Sequence, residues 1–153
     1  MTKKVLVLAV VALGLMVTGC GAANTSEQAA EPTVVAIAAS VEDVTGLWEG
    51  IDGGSGAIRI EENGTWTFDS LDDEVGIIGG GDVWFEGLHI FISEADWNSP
   101  GEEKCDGAGI YEVHLLSDGD IRFIVVKDDC ERRVTYLQGD TSMAITVKWR
   151  PLS

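Results

Sequence analysis

The sequence predicts an all-β domain, an antiparallel up-and-down meander of about eight strands that closes into a small barrel. Three observations support this prediction. Apolar and polar residues alternate over short runs, glycine-containing turns separate these runs, and no run has the apolar period of a convincing amphipathic helix. Closure into a barrel removes the unpaired edges that an open sheet of such strands would expose.

The barrel is expected to occupy only part of the 153 residues. We interpret residues 1–19 as a signal peptide, residues 20–44 as a flexible tether and residues 45–153 as the barrel domain, which is long enough for one hydrophobic core. Residues 33–40 are more apolar than the rest of the tether. A short strand, a docked segment and a continuation of the linker are all compatible with them.

The first residues have the pattern of an export signal. Two lysines precede an apolar run over residues 5–17, which is too short for a comfortable transmembrane helix. The run ends in Val-Thr-Gly-Cys at residues 17–20, which resembles the bacterial lipoprotein signal. The resemblance implies that Cys20 is acylated, becomes the mature N-terminus and anchors the domain to a membrane of the cell envelope, outside the cytoplasm.

The charge balance narrows the range of partners. The chain has ten basic and 26 acidic residues, and removal of residues 1–19 takes away two lysines and no acid, which leaves a net charge of −18. Such a surface repels nucleic acid and anionic lipid head groups, so no nucleic-acid partner is expected. It favours cationic partners, although high charge also serves solubility.

The chain contains three cysteines. If Cys20 is acylated, Cys105 and Cys130 remain, and we expect them to form a disulfide, which export makes chemically reasonable. The residues between them read as a β-hairpin with one cysteine at each open end. The disulfide would therefore fasten the open end of that hairpin.

Two registers are conceivable for this central hairpin. A two-residue turn at Asp118-Gly119 would pair His114 with Phe123, whereas a three-residue loop over residues 117–119 pairs Val113 with Phe123. We prefer the loop because it gives Gly119 a left-handed conformation and keeps the histidine out of the apolar row. The cysteines are then one residue out of register, an offset that a bulge could absorb. The expected inward row is Tyr111, Val113, Leu115, Ile121, Phe123 and Val125.

An earlier hairpin is predicted to use the same loop type. With a loop over residues 62–64, Ile60 faces Trp66 and Ile58 faces Phe68, so that all four share one side of the sheet.

The remaining strands follow from alternation. In residues 82–92 a two-residue turn at Glu86-Gly87 would align Val83, Phe85, Leu88, Ile90 and Ile92. Residues 134–138 are interpreted as a short strand. Residues 143–150 form a last strand with Met143, Ile145, Val147 and Trp149 on one side.

Several of these residues resemble the lipocalin-like group of small exported bacterial lipoproteins. Gly46-x-Trp48 looks like the start motif of lipocalins, and the central hairpin resembles the paired-cysteine hairpin of the group in Cys105…Gly109-x-Tyr111 and Asp128-x-Cys130-x-x-Arg133. The resemblance implies a lipocalin-like barrel and the capacity to bind an apolar small molecule. It also suggests that Trp48 lies at the closed end of the barrel under a stacked arginine, either Arg133 or Arg150.

The sequence shows no constellation typical of catalysis, so neither enzymatic activity nor a cofactor is expected. His89 and His114 each lie within a strand pattern and far from a matching Cys or His, which favours strand histidines over metal ligands. The acidic residues of segment 69–81 lack the spacing of a calcium loop, so a solvated loop is the preferred interpretation and no metal site is predicted.

Two functions remain open, and both are non-catalytic. The aromatic residues on the inward faces define the candidate ligand-facing positions, although a core filled by these same side chains is the preferred interpretation. The preferred hypothesis is a lipid-anchored module that binds a small apolar ligand. The second is a lipid-anchored module that binds a protein, such as an inhibitor of a cationic envelope-active enzyme. The ligand-facing candidates are Trp66, Phe68, Tyr111, Phe123 and Trp149.

Overall fold

The computed structural model describes residues 30–52, 56–70, 76–98, 104–139 and 147–152. Within these ranges the chain forms ten strands, one 3-10 turn and one α-helix. The strands are β1 (Val34–Ile37), β2 (Gly46–Ile51), β3 (Ala57–Ile60), β4 (Thr65–Asp69), β5 (Ile77–Glu86), β6 (His89–Ser93), β7 (Asp96–Trp97), β8 (Ala108–Leu116), β9 (Ile121–Lys127) and β10 (Lys148–Pro151). The 3-10 turn is Val41–Asp43, and helix α1 is Glu131–Gln138. No helix in the described ranges is long and apolar enough to cross a membrane.

Eight of the strands close into an antiparallel barrel, as predicted. The ring runs β2, β3, β4, β5, β6, β8, β9 and β10, and β10 pairs with both β9 and β2 to complete it. Strand β7 pairs with β5, beside β6, and β1 pairs with β8 beyond the end of β6. Residues 33–40 therefore contain a paired strand, and the compact unit begins at Glu31.

The two glycine-containing hairpins have the predicted registers. Ile60 pairs with Trp66 and Ile58 with Phe68, and all four side chains are buried. In the central hairpin, Val113 pairs with Phe123 and Leu115 with Ile121. Gly64 and Gly119 have φ angles of 81° and 87°, so each loop places a glycine where a side chain would be strained.

The turn between β5 and β6 lies one residue later than predicted. Glu86 pairs with His89, so the central turn residues are Gly87 and Leu88. Gly87 has a φ of 65°, the left-handed value that the first position of a type II′ turn requires. Leu88 consequently lies at the exposed tip of the turn and not in the inward row.

Residues 134–138 form the second half of α1, so the predicted short strand is wrong. The helix begins after Cys130 and ends at Gly139, which has a φ of 97°. Arg133 and Leu137, four residues apart, are both buried, which gives the helix one inward face. Met143 and Ile145 lie outside the described residues, and Val147 and Trp149 are buried as expected.

The 3-10 turn precedes β2, and its Val41 packs against the hydrophobic core. Val44, which follows the turn, is fully buried and accepts a hydrogen bond of 2.8 Å from the indole N–H of Trp48. Trp48 is therefore buried, as predicted, but the predicted arginine partner is wrong. Arg133 binds Asp128, and Arg150 lies 3.4 Å from Asp120.

Candidate functional site

The paired-cysteine hairpin brings its motif residues together around one carboxylate. Asp128 accepts hydrogen bonds from the hydroxyl of Tyr111, from two N–H groups of Arg133 at 2.6 and 2.8 Å, and from the backbone N–H of Cys130 at 2.8 Å. Arg133 also donates to the carbonyl of Gly107 at 3.1 Å. The side chains of Asp128 and Arg133 are almost completely buried, so this ion pair is held away from water.

The protonation equilibria follow from this arrangement. Burial by itself would raise the pKa of Asp128, but the hydrogen bonds from Arg133 and Tyr111 outweigh it and hold that pKa below its ordinary value. Burial and the bond to Asp128 raise the pKa of Tyr111. Burial would lower the pKa of Arg133, but Asp128 reverses the shift and raises it. The group is therefore a neutral tyrosine hydrogen-bonded to a carboxylate that is ion-paired with an arginine.

Gly109 leaves the space in which Asp128 sits. A Cβ atom at Gly109 would lie 2.1 Å from an Asp128 carboxylate oxygen and 2.7 Å from the ring of Tyr111. Only glycine fits this position without displacing the carboxylate. The motif Gly109-x-Tyr111…Asp128-x-Cys130-x-x-Arg133 thus describes one packed polar network.

The predicted disulfide joins Cys105 to Cys130, with Cα atoms 5.8 Å apart. The hairpin does contain an irregularity, between Ile110 and Tyr111. It adds a residue on β9, so it increases the offset between the two cysteines and does not absorb it. The disulfide instead joins the loop before β8 to the turn before α1. It therefore fastens α1 to the barrel as well as closing the hairpin.

A second ionic cluster lies beside the disulfide. The Glu94 side chain is 1% exposed and accepts hydrogen bonds from Arg132 at 2.6 Å and from the backbone N–H of Cys105 at 2.8 Å. The Arg132 guanidinium lies 3.7 Å above the Trp97 ring. Ligand atoms of Glu94 and the two cysteines lie within 4.8 Å of one another, but the two sulfurs are bonded to each other and are not free to bind a metal.

Aromatic rings fill the space between this cluster and the barrel. Tyr136 of α1 packs on Phe68 and Trp97, with ring centroids 5.1 and 5.6 Å apart. A Cβ atom at Gly79 would lie 2.2 Å from the Trp97 ring, so this glycine allows the indole to lie flat against β5. Helix α1 therefore covers this end of the barrel with aromatic side chains that pack at tilted angles.

The predicted ligand-facing residues lie in the barrel core. None of the five is more than 4% exposed, and all belong to one cluster of buried side chains. Phe123 contacts Tyr111 and Trp149 edge to face, with centroids 6.2 and 6.3 Å apart. These side chains pack against one another and occupy the interior at those positions, as in small barrels filled by their own residues.

Two cavities lined by described residues lie outside this interior. One, of about 420 Å³, is an open depression on α1, lined by Glu131, Arg132, Thr135 and Tyr136. The other, of about 160 Å³, lies on the outer side of β2 to β5 and is lined by Leu47, Ala57, Arg59, Thr67, Asp69 and Ile77. Space for a ligand is thus found on the surface of the described molecule.

The two histidines are closer than their sequence positions suggest. Pairing of β6 with β8 brings His89 to 3.8 Å from one oxygen of Glu112, and His114 lies 3.3 Å from the other. Glu112 lies between the two imidazoles on the outer face of the sheet. Sequence reasoning treated each histidine separately because it gave no register for β6 against β8.

An aromatic pair on the outer face, with Trp84 exposed and Phe91 half-buried, was missed by sequence reasoning. Trp84 of β5 and Phe91 of β6 are directly opposite on the outer face and stack with centroids 5.2 Å apart and planes 15° apart. A signal for them exists in the sequence: residues 83–85 and 90–92 are each three consecutive apolar residues. A half-buried strand would alternate, so such runs indicate that both sides of the sheet are apolar there.

The described residues thus define a closed eight-stranded antiparallel barrel with a disulfide-fastened helix across one end. Comparisons of the chain with protein-family models, with curated proteins and with solved structures found no match. The proposed acylation site, Cys20, lies outside the described residues.

Proposed function

We propose that this protein is a non-catalytic binding module, anchored by a lipid on Cys20 to a membrane of the bacterial cell envelope, and that its ligand is a cationic protein. The observation that carries this proposal is the filled interior. The five candidate ligand-facing aromatics are buried against one another, so a ligand is expected to bind on the outer surface.

The charge of the chain supports a cationic partner. Without residues 1–19 the net charge is −18, which attracts cationic proteins over a distance of about one Debye length and speeds their association. A basic envelope-active enzyme such as a lysozyme has the required charge. Binding would then inhibit such an enzyme by occupying its surface.

A small apolar ligand is the second candidate, and one observation favours it. The open depression of about 420 Å³ on α1 includes the ring of Tyr136. An amphipathic ligand would find an aromatic surface there, beside Glu131 and Thr135. Such binding would bury apolar area and depend little on salt.

One experiment separates the two candidates. The full chain is titrated with lysozyme and with a fatty acid at low and high ionic strength, and tryptophan fluorescence is followed. We expect a saturable complex with lysozyme that weakens steeply as salt rises. Salt-independent saturation by the fatty acid, without a lysozyme complex, would favour the apolar ligand.

Anchoring is tested separately. Replacement of Cys20 by Ala is expected to release the protein from the membrane fraction or to block its processing, since the acyl chains provide the stable anchor. Unchanged membrane association of this variant would contradict the anchoring proposal.

A further inference from the structure

Three strands align a row of apolar residues on the outer face of the barrel. Trp84 of β5 lies opposite Phe91 of β6, and Phe91 lies opposite Ile110 of β8. We call Trp84, Phe91 and Ile110 the outer row. Their chain neighbours Val83, Ile90, Ile92 and Tyr111 are buried, so the row lies on the side of the sheet that faces away from the core.

Trp84 is the exposed member of this row, beside half-buried Phe91 and Ile110, and its ring is held in place. Trp84 is 38% exposed, whereas Trp48, Trp66 and Trp149 are buried. Its ring is fixed by the stack on Phe91 and by a hydrogen bond of 3.3 Å from its indole N–H to Glu86. A rigid exposed tryptophan loses little entropy when it is covered, which is why this residue type is enriched at the centres of protein interfaces.

Carboxylates surround the aromatic pair. Asp82 and Glu86 lie two residues before and after Trp84 on the same face of β5, and both are exposed. Glu112 lies two residues beyond Ile110 on the same face of β8, between the two histidines. Lys127, opposite Ile110, is at the far end of the row from Trp84. An apolar centre with an acidic margin is complementary to a surface that combines apolar and basic side chains.

We propose that the outer row, together with Asp82 and Glu86, is the docking surface for the cationic protein partner. This inference rests on the proposed function and adds the location of the contact. A basic side chain of the partner stacks on the open face of Trp84 or pairs with Glu86, while its apolar neighbours cover Phe91 and Ile110. The same carboxylates would repel an anionic membrane surface.

The test compares two exposed apolar positions in the full chain. Trp84→Ser removes the centre of the proposed surface, and Val35→Ser is the control, because Val35 is 63% exposed and lies on β1, outside the row. Affinity is measured by isothermal titration with lysozyme and with an amphipathic Lys/Leu peptide. We expect Trp84→Ser to weaken binding at least tenfold and Val35→Ser to change it less than twofold.

Two further variants make the result specific. Trp84→Phe keeps the aromatic stack and should retain most of the affinity, which distinguishes lost contacts from lost folding. Asp82→Asn with Glu86→Gln should weaken binding and reduce its dependence on salt, because two of the attracting charges are removed. Thermal unfolding of each variant verifies that the barrel is intact.

Every outcome bears on the proposal. If the wild-type chain binds lysozyme and Trp84→Ser binds equally well, the docking surface is wrong and the proposed function stands. If the wild-type chain binds neither probe, the cationic partner and the docking surface both fail. Trp84-dependent binding to anionic vesicles, or self-association that Trp84→Ser abolishes, would overturn the proposal in favour of a membrane or a second copy.

Discussion

Two regions of this molecule combine an aromatic side chain with a carboxylate, and they do so in opposite environments. At the stapled end, defined by the disulfide, Asp128 and α1, the hydroxyl of fully buried Tyr111 bonds to a carboxylate that also holds Arg133. On the outer row, the indole of Trp84 bonds to Glu86, and both side chains reach solvent.

The two regions differ in the free-energy cost of removing one partner from the aromatic–carboxylate contact. Removal of a partner at the stapled end would leave a charge buried without compensation, which is strongly unfavourable. On the outer row, water replaces a lost partner at little cost. The first arrangement therefore stabilises one structure, and the second leaves its side chains available to another molecule.

The largest effect is expected from Asp128→Ala. This change leaves Arg133 and Tyr111 buried without their carboxylate, and we expect a loss of about 3–5 kcal/mol in the free energy of unfolding. Urea unfolding measures it. The matched control is Glu61→Ala, because the Arg59–Glu61 pair is 51% exposed on both sides and should contribute only about 0–1 kcal/mol. A loss below about 1 kcal/mol for Asp128→Ala would contradict this account of the stapled end.

Removal of the disulfide should have a slightly smaller effect. For a sequence separation of 25, the chain-entropy model gives about 3.5 kcal/mol for Cys105→Ser combined with Cys130→Ser. Unfolding of the double variant and of the reduced wild-type chain should agree. Alkylatable thiols at both Cys105 and Cys130 in protein isolated without a reductant would show that the disulfide does not form.

Acid should weaken the stapled end selectively. The pKa of Asp128 is depressed below its ordinary value of 3.8, so its contribution to stability is fully present above about pH 4. It is lost as the pH falls through the folded-state pKa. We expect a smaller effect than from Asp128→Ala, because protonation removes the charge but leaves the oxygens. The urea midpoint measured from pH 7 to pH 2 should therefore fall less in Asp128→Asn than in the wild-type chain; parallel curves would contradict the assignment.

The smallest effect on stability is expected from Trp84→Ser. Its ring is partly exposed and gives up one stack with Phe91 and the area that it buries, so the change should cost about 1–2 kcal/mol. The thermal midpoint measures it. A loss as large as that of Asp128→Ala would mean that the outer row supports the fold and would remove the contrast between the two regions.

Much of the barrel is predictable because local signals and burial agree. Gly64 and Gly119 supply left-handed loop positions, and each alternative register would have placed a polar residue in the apolar row. The same reasoning misplaced the β5–β6 turn. Residues 83–85 and 90–92 are apolar on both faces of the sheet, so alternation does not define the register there. The turn instead lies where glycine occupies its first central position, because Gly87 adopts the positive φ that this position requires.

Helix α1 and the site around it were not predictable in the same way. Residues 134–138 have the composition of a strand, and the helix depends on contacts distant in sequence: Arg133 with Gly107, Tyr136 with Phe68, and the disulfide. The Asp-x-Cys-x-x-Arg spacing is visible in the sequence, but the hydrogen bonds between these residues are not. The outer row needed the register of β6 against β8, and the sequence of the long connection between these two strands does not define that register.

The position of β1 determines how the barrel responds to a pulling force. Strand β1 is not one of the eight that close the ring; it lies along β8, and the residues before it enter through the bonds between Thr33 and Ser117. A load applied through the residues before Thr33 therefore acts first on this short, irregular pairing, at its Val34 end. Hydrogen bonds loaded from one end break one after another, so β1 can peel from β8 and lengthen the connection by about 13 Å, at roughly 3.3 Å per residue for four residues. The strand pairs that close the ring do not involve β1, so its separation from β8 leaves them intact.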